Sequence, residues 1–326
     1  MPVERIFVHA GLQKTGSTAI QAALAGSRRE LRRAGVSVWR IAVNHNAPLR
    51  IAFGRVTPRR AAEWYGRFGD REKVRRHLAN AIERSQPSFL ITSELLSTAA
   101  QAELATLRDW LRETAPNARL SIVVYVRRVD RHLSSFVQQQ IRRGYTISQA
   151  IADTKIISYR DRIGVLFDVF GRDEVDVRLC PEIDEQGPNA LLADFANAVG
   201  LPFQPRPTRD RQNNSLSQAA CQLLDEVNGA IGKAPRDVQL VQRFLPELRA
   251  SLPGPAFRLP ALTLRDIAER HRSDIEWLSK NTGIDLELPS DLPPDGSIPQ
   301  VDTERLAKRL MAAFGSGHST DAAPPA

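Results

Sequence analysis

The run Gly11-Leu12-Gln13-Lys14-Thr15-Gly16-Ser17-Thr18 sets two glycines, three hydroxyls and one ammonium between a short apolar segment, residues 5–8, and an amphipathic one that begins at Thr18. Where a strand passes into a helix through such a loop, the first backbone N–H groups and the positive end of the helix dipole converge on one point. That point binds phosphate. A Walker A loop has the form Gly, four residues, Gly, Lys, Ser or Thr. Here Ser17 occupies the lysine position and the lysine is displaced to Lys14, two residues before Gly16. The displacement weakens an ordinary ATPase reading. A Ser-Thr pair at a helix start can be a cap and nothing more, but the glycine and lysine before it have no capping role and point to a phosphorylated ligand.

The elements that must hold this loop follow from hydrophobic periodicity. Residues 5–8 read as a fully apolar strand, and residues 18–34 as a helix with Ile20, Ala23, Leu24 and Leu31 on one face. A helical region is expected over 61–84, a second strand over 89–92 behind Pro87, and a helix over 99–114. Residues 120–126 form the most apolar and β-branched segment of the chain, which suits a parallel strand buried on both faces. Helices over 131–143 and 156–170 follow, the second ending at Gly171, and then a strand over Val175–Leu179. Strands that alternate with helices to about residue 200 predict an α/β fold, a P-loop-like doubly wound parallel sheet flanked by helices, with ligands at the carboxyl ends of the strands. Beyond Pro202 the chain reads as helical with proline-rich connections and no further clear strand. The expected organisation is one α/β domain over 1–314, with a core over 5–200 and a helical part over 201–314, and a small, polar, proline-containing tail over 315–326 that is expected to be disordered.

Composition narrows the function classes. With 326 residues, 42% of them hydrophobic, the chain can bury a large core. No apolar run approaches the ~20 residues of a membrane span, and Glu4 and Arg5 precede the first apolar stretch, so neither a span nor a signal peptide is expected and the location expected is cytoplasmic. Cys180 and Cys221 have neither metal-ligand nor disulfide-framework spacing and read as buried thiols. A net charge of +8 favours anionic partners. The arginines run through segments such as 28–33 and 71–76 without interleaved aromatics, which reads as solvated helix faces and not as a nucleic-acid module, so no nucleic-acid partner is expected.

The loop resembles the 5′-phosphosulfate-binding loop of the sulfotransferase family, whose pattern is Lys, Ser or Thr, Gly, Ser or Thr, Thr directly after the first strand. Lys14-Thr15-Gly16-Ser17-Thr18 fits it at every position. The resemblance implies a transferase that uses 3′-phosphoadenosine-5′-phosphosulfate (PAPS) and releases 3′-phosphoadenosine-5′-phosphate (PAP). Lys14 would then reach the bridging oxygen between phosphate and sulfate, with Gly16, Ser17 and Thr18 bonded to the phosphosulfate oxygens. In the family an arginine at the end of a later strand and a serine eight residues on take the 3′-phosphate, and Arg127 and Ser135 have this spacing. An arginine's planar fork matches a phosphate, and a serine adds a hydroxyl donor. Tyr159, Phe170-Gly171, Asp194-Phe195, Val199-Gly200-Leu201 and the segment from Arg211 to Ser217, with Asn213, Asn214 and Ser215, look like bacterial members, so the resemblance covers residues 5 to about 230. The Arg-Lys-Gly triplet of the cytosolic eukaryotic enzymes does not occur, and Arg209 or Arg211 is the candidate substitute.

Sulfuryl transfer needs in-line geometry, neutralisation of the leaving group and a base for the acceptor hydroxyl or amine. Glu94, in Thr92-Ser93-Glu94-Leu95, follows the second strand and is expected at the same sheet edge as Lys14 and Arg127; the bland account is a carboxylate favoured by a helix dipole. His45, between Asn44 and Asn46, is the rival base or an acceptor ligand, since bacterial members often carry an Asn-His element there. His9 is expected to orient the backbone before the loop. No metal is expected. The acceptor would be a carbohydrate, a lipid or a small molecule, held by variable segments around 40–60 and after Pro202. Two alternatives stand beside this one: a P-loop kinase, for which Asp130 is the candidate magnesium carboxylate, and a non-catalytic basic protein binding nucleic acid or acidic polysaccharide.

Overall fold

The computed structural model describes residues 2–152, 158–181, 189–207, 215–231, 238–290, 292 and 304–315. The chain runs β1 (Arg5–Ala10), α1 (Ser17–Gly26), α2 (Arg28–Arg33), β2 (Val36–Val38), α3 (Asn46–Phe53), α4 (Pro58–Phe68), α5 (Arg71–Glu83), β3 (Ser88–Ser93), α6 (Gln101–Thr114) and β4 (Arg119–Val126). It continues through α7 (Val129–Arg142), α8 (Ile147–Ala152), α9 (Val165–Phe170), β5 (Val175–Leu179), α10 (Asn189–Ala198), α11 (Gln218–Ile231), α12 (Val238–Ser251), α13 (Ala261–Arg270), α14 (Arg272–Thr282) and α15 (Glu304–Gly315). A 3-10 turn, Glu94–Thr98, follows β3, and a π-helical turn, Arg160–Gly164, leads into α9.

The described residues cluster into two compact units that interleave along the chain. The first, comprising Met1–Arg127, Ile157–Arg211 and Ser273–Leu286, holds the sheet. Its five strands are all parallel in the order β2-β3-β1-β4-β5, so the expected α/β architecture is present, with β1 in the middle and β4 flanked on both sides. Alternation along each strand sends Phe7, Leu90 and Tyr125 to one face, where Ile20 and Leu24 of α1 and Phe195 of α10 cover them. Helices α3, α5, α6 and α9 pack together among themselves, with α3 against β3 and α9 against β5. The strands β1 and β3 end in register at Ala10 and Ser93. The loop after β1, the turn after β3 and Arg127 after β4 therefore emerge at one carboxyl edge.

Several boundaries differ from the sequence reading for local reasons. The helix expected over 18–34 divides at Ser27, where Gly26 and Ser27 are weak helix formers and Ser27 Oγ accepts from the Arg206 N–H at 3.3 Å. The region 61–84 divides at Gly69, whose φ of 87° opens the left-handed turn, and Asp70 caps α5 by accepting from the Lys73 N–H at 2.8 Å. Strand β2, at three residues, is too short for its alternation to register. Helix α3 tolerates Pro48 because it sits in the first turn.

The second unit, Arg128–Ile156, Gln212–Arg272 and Glu287–Ala326, is helical, and apart from a single bridge between Ser217 and Ala256 its described residues form no strand. Ser134 Oγ donates to the Asp130 carbonyl at 2.7 Å and accepts from the Leu259 N–H at 3.1 Å, tying α7 to the start of α13. Asn228 Nδ2 donates to the Ile141 and Tyr145 carbonyls, which closes α11 on the end of α7. Among the described residues no helix is long and apolar enough to cross a membrane. Helix α15 extends to Gly315, while residues 316–326 lie outside the described residues.

Candidate functional site

The loop after β1 closes on itself before it can hold anything. Thr15 Oγ1 donates to the Leu12 carbonyl at 2.8 Å and is buried, so this hydroxyl shapes the loop from within. Lys14 takes φ of 66°, the one positive φ at a non-glycine among the described residues, and Gly16 follows at 82° as the residue before α1. Left-handed backbone at a lysine costs roughly 1 kcal/mol, and a bond at its carbonyl holds it: Arg127 Nη1 donates to the Lys14 oxygen at 2.9 Å. Arg127 itself is anchored where the Tyr159 hydroxyl reaches its carbonyl at 3.4 Å.

Gly11 is required by close approach. A Cβ placed there would meet the Ser17 hydroxyl, lie 3.0 Å from Ser17 Cβ and lie 3.2 Å from Glu94 Cγ. The first residue of α1 and the carboxylate-bearing turn after β3 thus converge on one backbone position. Ser17 is 2% exposed, and among the described residues its hydroxyl has no hydrogen-bond partner. A buried hydroxyl left without a partner costs about 1–3 kcal/mol. It stands at the N-terminus of α1, where an anion would satisfy it, and the residues present therefore fit a phosphate or phosphosulfate. Thr18 is exposed and Gly16 half-buried on the same turn.

Glu94 occupies the first position of the 3-10 turn, and several bonds fix that turn. Ser97 Oγ lies 2.8 Å from both the Gly11 and the Glu94 carbonyls, and the Gly11 N–H donates to the Ser93 carbonyl. Asn46 Oδ1 accepts from Ser93 Oγ at 2.8 Å and lies 3.4 Å from the Leu95 N–H. Burial pushes the Glu94 carboxyl above the usual range, and the Lys14 ammonium pulls it partly back. The two groups therefore sit within electrostatic reach, and Glu94 is a carboxylate more basic than an exposed one.

His45 sits differently. It is fully buried, its Nδ1 accepts from the Thr92 N–H at 3.0 Å, and its Nε2 therefore carries the proton and donates to the Trp39 carbonyl at 2.9 Å. Burial lowers its pKa to about 4. Both nitrogens serve backbone partners, so His45 pins the segment before α3 to β3. Its neighbour Asn46 is the residue of the Asn-His-Asn run that reaches the Glu94 turn, and the sequence signal for it, an asparagine at the start of a helix and far from the strand it serves, was too weak to find it. His9 is also buried, with its Nδ1 2.8 Å from Thr92 Oγ1, to which Gln21 Nε2 also donates, and its pKa is lowered to about 4 by burial. Cys180, just beyond β5, directs its thiol to the Thr15 carbonyl at 3.5 Å, and burial pushes its pKa up to about 11, so it props the loop as a thiol.

Lys14, Gly16, Ser17, Glu94 and Arg127 are thus brought together within the first unit. Ser135 lies half-buried on α7 in the second unit. Ser215 and Ser217 belong to the second unit, and Arg209, Arg211, Asn213 and Asn214 lie outside the described residues. Asp130, the carboxylate considered for magnesium, is buried and ion-paired with Arg128 at 3.1 Å, Arg258 at 3.3 Å and Arg131 at 3.6 Å. It is the hub of an arginine cluster.

No protein-family model matches the chain, and no curated protein matches it. Among solved structures the chain is similar to a crystal structure of a sulfotransferase from Alicyclobacillus acidocaldarius, with a TM-score of 0.45 and 14% identity over 88% of this chain and 98% of that one.

Proposed function

We propose that the chain is a sulfotransferase that takes a sulfuryl group from PAPS, binds it at the loop over residues 11–18 and passes it to a hydroxyl or amine of an acceptor, a carbohydrate, a lipid or a small molecule. The observation that carries the reading is the convergence of the unpartnered Ser17 hydroxyl and the carboxylate turn of Glu94 on Gly11, with the Lys14 ammonium within electrostatic reach of Glu94. PAPS, when bound, would supply the sulfuryl group and leave as PAP. In this reading the Lys14 ammonium offsets charge that builds on the bridging oxygen, and the N–H groups and hydroxyls of Ser17 and Thr18 hold the oxygens around it. Glu94, its basicity raised by burial, takes the proton from the acceptor as the acceptor's oxygen or nitrogen approaches. Arg127 and Ser135 are assigned to the 3′-phosphate on the spacing of the resemblance. The engagement of both His45 nitrogens favours Glu94 as the base. The engagement of Asp130 by three arginines weighs against the kinase reading.

The test is thermal unfolding of the full chain without ligand, with PAP, and with ADP or ATP plus Mg²⁺ at matched concentrations. A ligand at ~100 times its Kd adds about 2.7 kcal/mol, a shift of several degrees. Stabilisation by PAP and not by the other nucleotides supports the reading. Stabilisation by ATP with Mg²⁺ alone overturns it in favour of a kinase, and no shift with any nucleotide favours a non-catalytic basic protein.

A further inference from the structure

We propose that the cleft between α2 and the end of β2 is a binding site for an acidic saccharide chain, separate from the phosphate loop. The cleft is a concavity of about 510 Å³ lined by Gly26, Arg28, Arg29, Glu30, Arg32 and Arg40. Four guanidiniums thus face one carboxylate. The fold assembles them from two places. Leu31 is buried and turns α2 onto the core, which leaves Arg28, Arg29 and Arg32 on the outward side, and β2 then delivers Arg40 just beyond its carboxyl end.

These arginines differ from others in the chain. Arg178 is bonded to Asp194 and Asp176, and Arg128, Arg131 and Arg258 surround Asp130. The side chains of Arg28, Arg29, Arg32 and Arg40 make no ion pair or hydrogen bond among the described residues, and all four are exposed. Four like charges held on one concave wall repel one another, and an oxyanion ligand relieves that repulsion while engaging the forked N–H geometry of each. A Cβ at Gly26 would meet nothing within 4 Å, so the rim is open to a chain lying across it.

The chemistry of the lining selects the ligand. No aromatic side chain is present to stack on a base, and no apolar side chain to hold an acyl tail. Trp39, the aromatic nearest in sequence, is buried and donates its indole N–H to His77. A concave wall of six-residue helix, ~9 Å long, suits a flexible single chain that carries its carboxylates or sulfates at close intervals better than a rigid duplex. The cleft also stands apart from the loop: α1 begins at Ser17 and ends at Gly26, so ten residues, or ~15 Å of helix, separate the two.

The experiment follows fluorescence anisotropy of a short labelled dextran sulfate, with uncharged dextran and a labelled DNA duplex in parallel, at salt between about 50 and 200 mM. The intact chain is expected to bind the sulfated saccharide and not the uncharged one. Replacing Arg28, Arg29, Arg32 and Arg40 together by Gln is expected to weaken binding at least ~10-fold at the lower salt and to flatten the salt dependence by about 0.7 in slope for each arginine that had neutralised a sulfate. A variant of equal charge, with Arg76, Arg84, Arg119 and Arg265 changed to Gln, is expected to bind like the parent, and so is Lys14→Ala. Equal weakening in the two arginine variants would overturn the proposal, because total charge alone would then explain binding. Duplex binding as tight as the saccharide's and dependent on the same four arginines would reassign the cleft to nucleic acid. Weakened binding in Lys14→Ala would place the saccharide at the loop.

Discussion

Replacing Ser17 by Ala should make the protein more stable and less able to bind its ligand. The hydroxyl is 2% exposed and has no hydrogen-bond partner among the described residues. Its burial costs about 1–3 kcal/mol, and removing one oxygen forfeits only a few tenths of a kcal/mol in packing. The ligand-free variant should therefore gain about 1–2 kcal/mol, an upward shift of a few degrees in Tm. With ligand the balance reverses, because a hydrogen bond to a charged group contributes about 1.5–3 kcal/mol, and PAP affinity should fall roughly 10- to 100-fold. Gly11→Ala supplies the second arm. Its Cβ would sit 3.0 Å from Ser17 Cβ and collide with the hydroxyl, overpacking that costs about 1–3 kcal/mol. Part of this cost should vanish in the double variant Gly11→Ala/Ser17→Ala, which no longer has the hydroxyl. Thermal unfolding with and without PAP reads all four proteins. A fall in the ligand-free Tm of Ser17→Ala would refute the reasoning, as would unchanged PAP affinity, since either means that the hydroxyl was already satisfied.

Glu94→Gln should leave PAP affinity nearly unchanged and lower turnover by ~10²-fold or more, measured by sulfated product once an acceptor is found; full turnover would remove Glu94 as the base. Because burial raises the Glu94 pKa, its ionised form is penalised in the folded state, so wild-type stability from this group is complete at low pH and is lost as pH rises through the raised pKa. The Tm of Glu94→Gln relative to wild type should accordingly increase from pH 4 to pH 7, and a flat difference would contradict the burial. His45 has the opposite sign: the unfolded chain protonates near pH 6.5 and the folded one at about 4, so stability is lost as pH falls through that window. His45→Gln should lower Tm at neutral pH and flatten the acid limb of a pH–stability curve measured by urea titration. Arg127→Ala should weaken PAP far more than ADP, and equal weakening would confine Arg127 to holding the Lys14 carbonyl.

The loop over residues 11–18 stood out as a candidate because its chemistry is local: glycines, hydroxyls and a displaced lysine within eight residues, at what the structure shows to be a strand-to-helix junction. Strands β1, β3, β4 and β5 announced themselves by apolar, β-branched runs, and their parallel pairing followed from the helices between them. What escaped depended on partners distant in sequence. Asn46 steadies the Glu94 turn from 49 residues away, as seen in its approach to Leu95. A span of 47 residues likewise hid the bond from the Thr92 N–H to His45 Nδ1, since a histidine between asparagines looks like an exposed polar loop until β3 is laid beside it. Short elements failed for another reason: β2 has three residues and α3 opens with a proline in its first turn, too little pattern for either period to show.

The bond from Arg127 to the Lys14 carbonyl joins residues 113 positions apart. A contact of that span closes late, after the loop-closure entropy of the intervening chain has been overcome. During synthesis the loop residues emerge ahead of β4, whose following arginine supplies the bond that holds the left-handed turn at Lys14. Nascent chains truncated before β4 should hold the loop in many shapes and bind ligand feebly. Acquisition of PAP binding during refolding would then report the docking of β4 beside β1.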